Sequence, residues 1–570
     1  MARELEALRH HKEEIGQKST VSPSTNNETT FESPEYALEV SGTAVISEFG
    51  MKDQYKLDTF VIDQDTVIEI FRIFALLFYP HLPVLNPTIS ISAMHDTSPF
   101  LFWTIIAIVT SHAMLPQHAF LFEQLQEPFL ATLRITILKA PVPLQAIQAL
   151  THLIVWPFTT ERQNRDTSWL YCGVAINAAM YMGLHHSKPT QSYRSIGVPA
   201  GSLRARAHTW LGCFLASTSL GMHVGVPPSV NGTTELATIE SFVRNYPIPS
   251  EFAYHIMVHH TLARFTKVVL ENSQEVVSHS LVKLIDTELD ALKTRYPTPW
   301  TPRAEMSVLI AKIHLYTMTI IRIQLDLTTR EVLMKNGFSI ALRIVYLIDQ
   351  GGIAYRPTEY QHLTPGFLQR AIPKNYFRAL VLATIFLVRF FALNINALPE
   401  EQEIARNHVA MAQRYLKSGS VSKGDEKERA AFLLERLSQQ RPVDVDHTKL
   451  RIDDRMGASL VYDAITMGHE LRNVSVEVEE ESTEDHIPEP STNANANADL
   501  QAPMPHTNMP ALPMSAVPDM SQVDINDTNN IDNMDMFGGQ MDFSLPEDLW
   551  GDSVWGMFGA FAPSGPGMYQ

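Results

Sequence analysis

Residues 169–184 carry small and apolar side chains around most of a helical circumference, which is the pattern of a buried helix. Gly183 and the polar run His185-His186-Ser187-Lys188 stop that helix, with Pro189 just beyond. After a turn-rich connection, Arg204 and Arg206 precede a second apolar run from Trp210 to Val224, closed by Gly225 and the pair Pro227-Pro228. Helical patterns recur over 99–114, 123–139, 143–156, 251–270, 273–294, 302–327, 337–350, 374–394, 400–418 and 426–439. Runs that alternate at period two beside hairpin turns are scarce. The sequence predicts an all-α, multi-helix body over 61–440, extended by helix over 441–472.

The flanks differ from this body. Residues 1–18 place Met1, Leu5, Leu8 and Ile15 at heptad-like spacing with Lys12 at the remaining core position, a short coiled-coil-like helix of two heptads. Residues 19–60 are rich in Ser, Thr, Asn and Glu and read as a flexible linker. Residues 473–570 read as a disordered acidic tail. Of the chain's net charge of −18, all but −1 lies after Arg472, where 17 acidic residues stand with no Lys or Arg. The body is therefore neutral and lacks the basic field that holds nucleic acid by its phosphates. Within the tail, residues 534–558 alternate acids with large apolar groups: Phe537, Met541, Phe543, Leu545, Leu549, Trp550, Trp555 and Phe558. Flanking carboxylates keep such side chains solvated and available to a partner's shallow groove, the composition of an activation segment.

Several chemistries are excluded. No phosphate-cradling G-x-x-x-x-G-K-[ST], no G-x-G-x-x-G after a strand and no G-x-S-x-G elbow occurs. Neither C-x-x-C nor H-E-x-x-H is present, and Asp453-Asp454 lacks the further acid of an isoprenoid-type metal site. Glu251, His255 and His259 share a helical face, but they lack an activating base and read as partly buried residues with backbone partners. His185 sits at a helix end, where a partly charged imidazole meets the negative end of the dipole. Only two cysteines occur, Cys172 and Cys213, both in apolar helical runs, which suits buried thiols in a reducing compartment. No signal pattern opens the chain, and its longest apolar runs are short for a bilayer, so no membrane partner is expected. No catalytic or metal-binding residue is assigned.

The central stretch resembles the middle homology region of fungal zinc-cluster transcription factors. The resemblance rests on Gly183-Leu184-His185 after Met180, on Arg206 (with Arg204 beside it) leading to Trp210 and Phe214, and on Gly225 with Pro227 and Pro228. The run from Leu150 to Phe158 draws it toward the subgroup of the leucine-pathway and secreted-protease regulators. It departs at Ser217 and Val226, where many members have an acid and an Arg. The resemblance covers roughly residues 65–400. It implies a nuclear regulator of RNA polymerase II genes, shuttling or resident. The helical body would sense a ligand, the tail would contact coactivators or the general transcription machinery, and the N-terminal helix would support homo- or heterodimers. Arg204 and Arg206 would then cap helices or pair with buried carboxylates.

A binuclear zinc cluster needs six Cys thiolates within about 30 residues. Two cysteines 41 positions apart do not form one. Zinc is expected only with an upstream cluster, and DNA contact only through that module or one supplied by a partner. A cofactor or dominant-negative partner that never touches DNA stays open at this point, as does a helical enzyme or ligand-binding protein.

Overall fold

Asp63 starts the first long helix of the body. Its carboxylate accepts from the Thr66 N–H at 2.9 Å, capping α2 (Gln64–Ile73), which follows α1 (Pro34–Ser41) and three short strands. The strands are β1 (Val45–Ser47), β2 (Gln54–Leu57) and β3 (Phe60–Asp63). In the computed structural model the described residues are 34–484 apart from 116, 118–119, 161–164, 189–200, 272–278, 323–326, 357, 359–363 and 445. Those up to Gly468 belong to one compact unit, and residues 469–484 to a second. The expected helix over 1–18 lies outside the described residues, as do residues 485–570 with the segment 534–558.

The linker expected over 19–60 is corrected from residue 34 onward. β2 and β3 pair antiparallel, Tyr55 opposite Ile62, and the period-two pattern buries Tyr55, Phe60 and Ile62. β1 pairs in parallel with β4 (Thr88–Ser90). Glu39 on α1 is 2% exposed. Strands of three or four residues are too short for alternation to stand out against a Ser- and Thr-rich background.

After α2 the backbone widens into a π turn over Phe74–Phe78 and tightens to a 3-10 turn over Tyr79–His81, delivering the chain to the Pro83 and Pro87 corner. Next come α3 (Ile91–Thr97), α4 (Pro99–Ser111), α5 (Leu121–Leu138), α6 (Leu144–Val155) and α7 (Ser168–Tyr181). Every residue of α4 from Phe100 to Ser111 is buried, and Thr104 and Thr110 return their hydroxyls to the carbonyls one turn back at 2.7 Å. Fully burying each of its Phe, Ile and Leu side chains contributes roughly 1.5–3 kcal/mol.

Helix α8 (Leu203–Val224) is the hub. It packs on α6 and α7, and also on α10 (Ser250–Glu271), which follows α9 (Thr233–Asn245). Beyond lie α11 (His279–Arg295), α12 (Pro302–Arg322), α13 (Leu327–Asp349), α14 (Pro365–Leu368), α15 (Lys374–Leu387), α16 (Pro399–Gly419), α17 (Glu426–Ser438) and α18 (Ser459–Glu484). α12 packs on α13, α13 on α15 and α16, and α16 on α17. The helical fold class holds, while the extension expected over 441–472 is helical only from the 3-10 turn Met456–Ala458 onward, and α18 continues to Glu484, into the start of the tail expected as disordered over 473–570. Two stretches, Pro302–Arg322 and Lys374–Ala392, are long and apolar enough to cross a membrane, beyond what the sequence reading allowed. Their most apolar windows are 89% and 83% buried inside the protein.

α7 differs from its expectation. Trp169, Leu170, Gly173, Asn177, Met180 and Tyr181 fall on one exposed face, with Leu170 67% exposed, while Cys172, Ala175, Ile176 and Ala179 face the core. The enclosed helix is α8, where residues 206–218 are all buried.

Candidate functional site

The family-motif residues form a clamp between α7 and α8. Gly183 takes the left-handed conformation (φ 63°), which lets the Leu184 N–H reach back to the Ala179 carbonyl and the Gly183 N–H to Met180, both at 2.9 Å. The end of α7 is then held by Arg206 from the first turn of α8. Its guanidinium, 2% exposed, donates to the carbonyls of Met182 at 3.2 Å and Gly183 at 2.7 Å. A cation here meets the negative end of the helix dipole.

The sequence assigned part of that role to His185, and this is corrected. Burial lowers the proton affinity of His185, and His186, with ring centroids 3.8 Å apart, lowers it further. Arg204 pairs with the buried Glu39, whose carboxylate also lies 3.2 Å from His208 Nε2. Both arginines are thus engaged with protein groups. Leu184, Trp210 and Phe214 are fully buried, and the Trp210 ring lies 5.9 Å from that of His185.

At the other end of α8, Gly225 is left-handed (φ 76°), and both its N–H and that of Val226 reach the Gly221 carbonyl at 2.9 Å. A Cβ on Gly225 would strike the Arg455 carbonyl. Pro228 is buried and Pro227 exposed, and the closing segment folds back onto Gly221, whose absent side chain makes the room.

The far face of α8 borders a cavity of about 40 Å³, which α6, α10, α12, α15 and His81 complete. A lobe of about 20 Å³ extends toward His223 and His314, sharing Ser219, Ile310, Asn375 and Arg378 with the main space. The lining carries buried polar atoms without hydrogen-bond partners: His81 Nε2, His255 Nε2, Ser307 Oγ, His314 Nδ1 and Arg378 Nε. Such groups cost stability unless something satisfies them.

Burial pushes His255 and His314 down to about 4, and His81 and His223 well below their usual range, so the histidines line the space as neutral rings. The charge is supplied by Arg378, 8% exposed, and is balanced by Asp166 at 3.3 Å, which also takes Lys374 at 2.8 Å. Burial raises the Asp166 carboxyl, but the two cations outweigh it and hold it well below the usual range. On the face shared by Glu251, His255 and His259, the Glu251 carboxylate and the His259 ring are engaged. Arg303 grips Glu251 through two bonds of 2.6 and 3.0 Å, and His259 Nδ1 lies 2.8 Å from the His255 carbonyl. Among the described residues no group of three side chains is placed to hold a metal ion.

Residues 71–254, which include the Arg206 clamp and most of the α8 hub, match the fungal specific transcription factor domain. The chain carries that domain. It is 30% identical over 165 residues to the transcriptional regulatory protein SEF1 of Candida albicans, covering 27% of this chain and 17% of that one. It is 22% identical over 501 residues to the SEF1 protein of Eremothecium gossypii, covering 83% and 45%. To the regulatory protein LEU3 of Saccharomyces cerevisiae it is 22% identical over 360 residues, covering 56% and 39%. The chain thus spans less than half the length of these relatives. No solved structure matches it.

Sequence reasoning found the clamp but missed the cavity. His81, the α12 pair Ser307 and His314, and Arg378 come from three separate elements, and their one signal is a polar residue interrupting an apolar run.

Proposed function

We propose that this protein is a nuclear regulator of RNA polymerase II transcription. Its helical body is the regulatory, ligand-sensing module and its acidic tail the activation segment. The match of residues 71–254 to the fungal specific transcription factor domain carries the reading. The cavity beside α8 supports the sensing role, because unpartnered polar atoms around an interior space favour a ligand that satisfies them. The names of the relatives, which describe regulatory proteins, support the rest. DNA is reached through a zinc module upstream or in a partner, with residues 1–18 as the dimer contact, and the reading includes no enzymatic step.

In the tail, carboxylates around Phe537, Phe543, Leu549, Trp550 and Phe558 keep the aromatics solvated until a coactivator groove receives them. The test fuses residues 473–570 to a heterologous DNA-binding domain above a reporter in yeast. Activation that falls when Phe543 and Trp550 become Ala is the expected result. A silent fusion present at normal abundance overturns the role given to the tail.

A further inference from the structure

A second cavity, of about 80 Å³, opens between the loop after α6, residues 369–374 and the junction of α16 with α17. Two cations line it without a direct ion pair. Arg370 donates from Nη1 to the Ala113 carbonyl at 3.0 Å, and Lys427 from Nζ to the Gly419 carbonyl at 3.2 Å. Among the described residues neither reaches a carboxylate within the 4.0 Å of an ion pair. The acids in the lining are occupied elsewhere. Glu426 takes Lys374 at 2.8 Å, and Asp425 accepts from the backbone N–H groups of Val421 at 2.7 Å and Glu428 at 2.9 Å.

Two further lining atoms lack partners: Arg370 Nε, a donor, and Gln369 Oε1, an acceptor on a side chain 7% exposed. Gly419 marks where these groups converge. A Cβ built on it lies 3.0 Å from Gln369 Oε1 and 3.2 Å from Lys427 Nζ, so its missing side chain keeps a cradle open between acceptor and cation. The start of α15, which has no side-chain cap, borders the same space and adds the positive end of a helix dipole. Burial pushes Lys427 down to about 8, and the Arg370 charge adds to this against Asp425 and Glu426.

We propose that this pocket binds a small oxyanion, a carboxylate or phosphate group held by Arg370 and Lys427 that also carries a hydroxyl donating to Gln369. The size agrees. A water needs about 10–15 Å³ of such interior space, so a cavity of about 80 Å³ accepts one such group or the head of a longer ligand whose tail lies along Phe158, Phe377 and Val421. A neutral ligand would leave both cations without a direct ion pair, and a simple halide would leave the Gln369 oxygen without a donor.

The site is distinct from the cavity beside α8, and it is read by binding to the purified chain, whereas the tail is read by a reporter in cells. Failure of one is therefore distinguishable from failure of the other. The experiment is isothermal titration of the full 570-residue chain with sodium phosphate, glycolate, acetate and chloride at matched ionic strength. Saturable binding of phosphate or glycolate is expected, and whichever is tighter names the source of the oxyanion. Acetate, lacking the hydroxyl, binds more weakly and chloride not measurably. Lys427→Met and Gly419→Ala each weaken binding about tenfold or more, while Lys427→Arg stays within about threefold, as charge-assisted bonds require. Gly419→Ala adds one methyl at a helix end and keeps the test valid should Lys427→Met fail to fold. No saturable binding by either hydroxyl-bearing anion, or unchanged affinity in Gly419→Ala, overturns the proposal.

Discussion

The Gly225 closure permits a quantitative test, because the fold provides its own control. Gly225 and Gly424 have nearly the same left-handed φ, 76° and 77°, but a Cβ on Gly225 strikes the Arg455 carbonyl while one on Gly424 meets nothing within 4 Å. A left-handed conformation costs a Cβ-bearing residue about 1–2 kcal/mol. Gly→Ala also restricts the unfolded chain by a similar amount at both sites, about 0.4–1 kcal/mol, so that contribution cancels in the comparison. Gly225→Ala carries in addition the displacement of a packed carbonyl, about 1–3 kcal/mol for an overpacked site. Gly225→Ala should therefore be less stable than Gly424→Ala by about 1–3 kcal/mol. Urea unfolding followed by Trp fluorescence measures the difference as a shift in midpoint at constant slope. Equal midpoints for the two variants would refute the reasoning. The glycine of the closing motif would then be there for its conformation alone, and not for its approach to the segment before α18.

The buried ion cluster gives a second expectation. Asp166→Asn leaves Lys374 and Arg378 short of a carboxylate and should cost about 3–5 kcal/mol, read by the same unfolding assay; a cost below about 1 kcal/mol would place the cluster in solvent. The Asp166 carboxyl is held below its unfolded value, so its contribution is fully present above about pH 4 and fades as pH falls through the folded value. Asp166→Asn should accordingly flatten the acid limb of the stability profile. The histidines act in a higher window. His255 and His314 are pushed down to about 4 from 6.5, the unfolded state binds more protons between those values, and stability rises with pH across that interval. His314→Gln should reduce that slope, and an unchanged profile argues that the ring is already solvated. Finally, burial pushes the Cys172 and Cys213 thiols up to about 12, so native protein at pH 8 should resist iodoacetamide and react only when unfolded, as mass spectrometry would show.

The helical class was legible because apolar helical-period runs dominate residues 61–440, and the ends of α8 were legible from Arg206, Gly225 and the proline pair. What escaped notice had physical reasons. The helix α9 buries only Leu236, Ile239 and Phe242, a stripe too thin to register as amphipathic periodicity. α13 begins at Leu327, ten residues before the expected start, because its first turns have polar and half-buried faces. α7 read as enclosed because composition alone does not separate a buried apolar face from an exposed one carrying Trp169, Leu170 and Tyr181. The two cavities were invisible for a different reason: each is assembled from side chains on four or more elements, and no spacing along the chain encodes that meeting.

The Arg206 clamp bears on how this chain can be cut and rewired. A cation buried at the start of α8 grips the last carbonyls beyond α7 directly, through two bonds of 3.2 and 2.7 Å. The register between the two helices is therefore written in a side chain. Insertion of a tag, a protease site or a whole reporter protein into that connection becomes permissible in a way that a single change at Arg206 is not. The same reasoning identifies a position for splitting the chain into two fragments that find each other again.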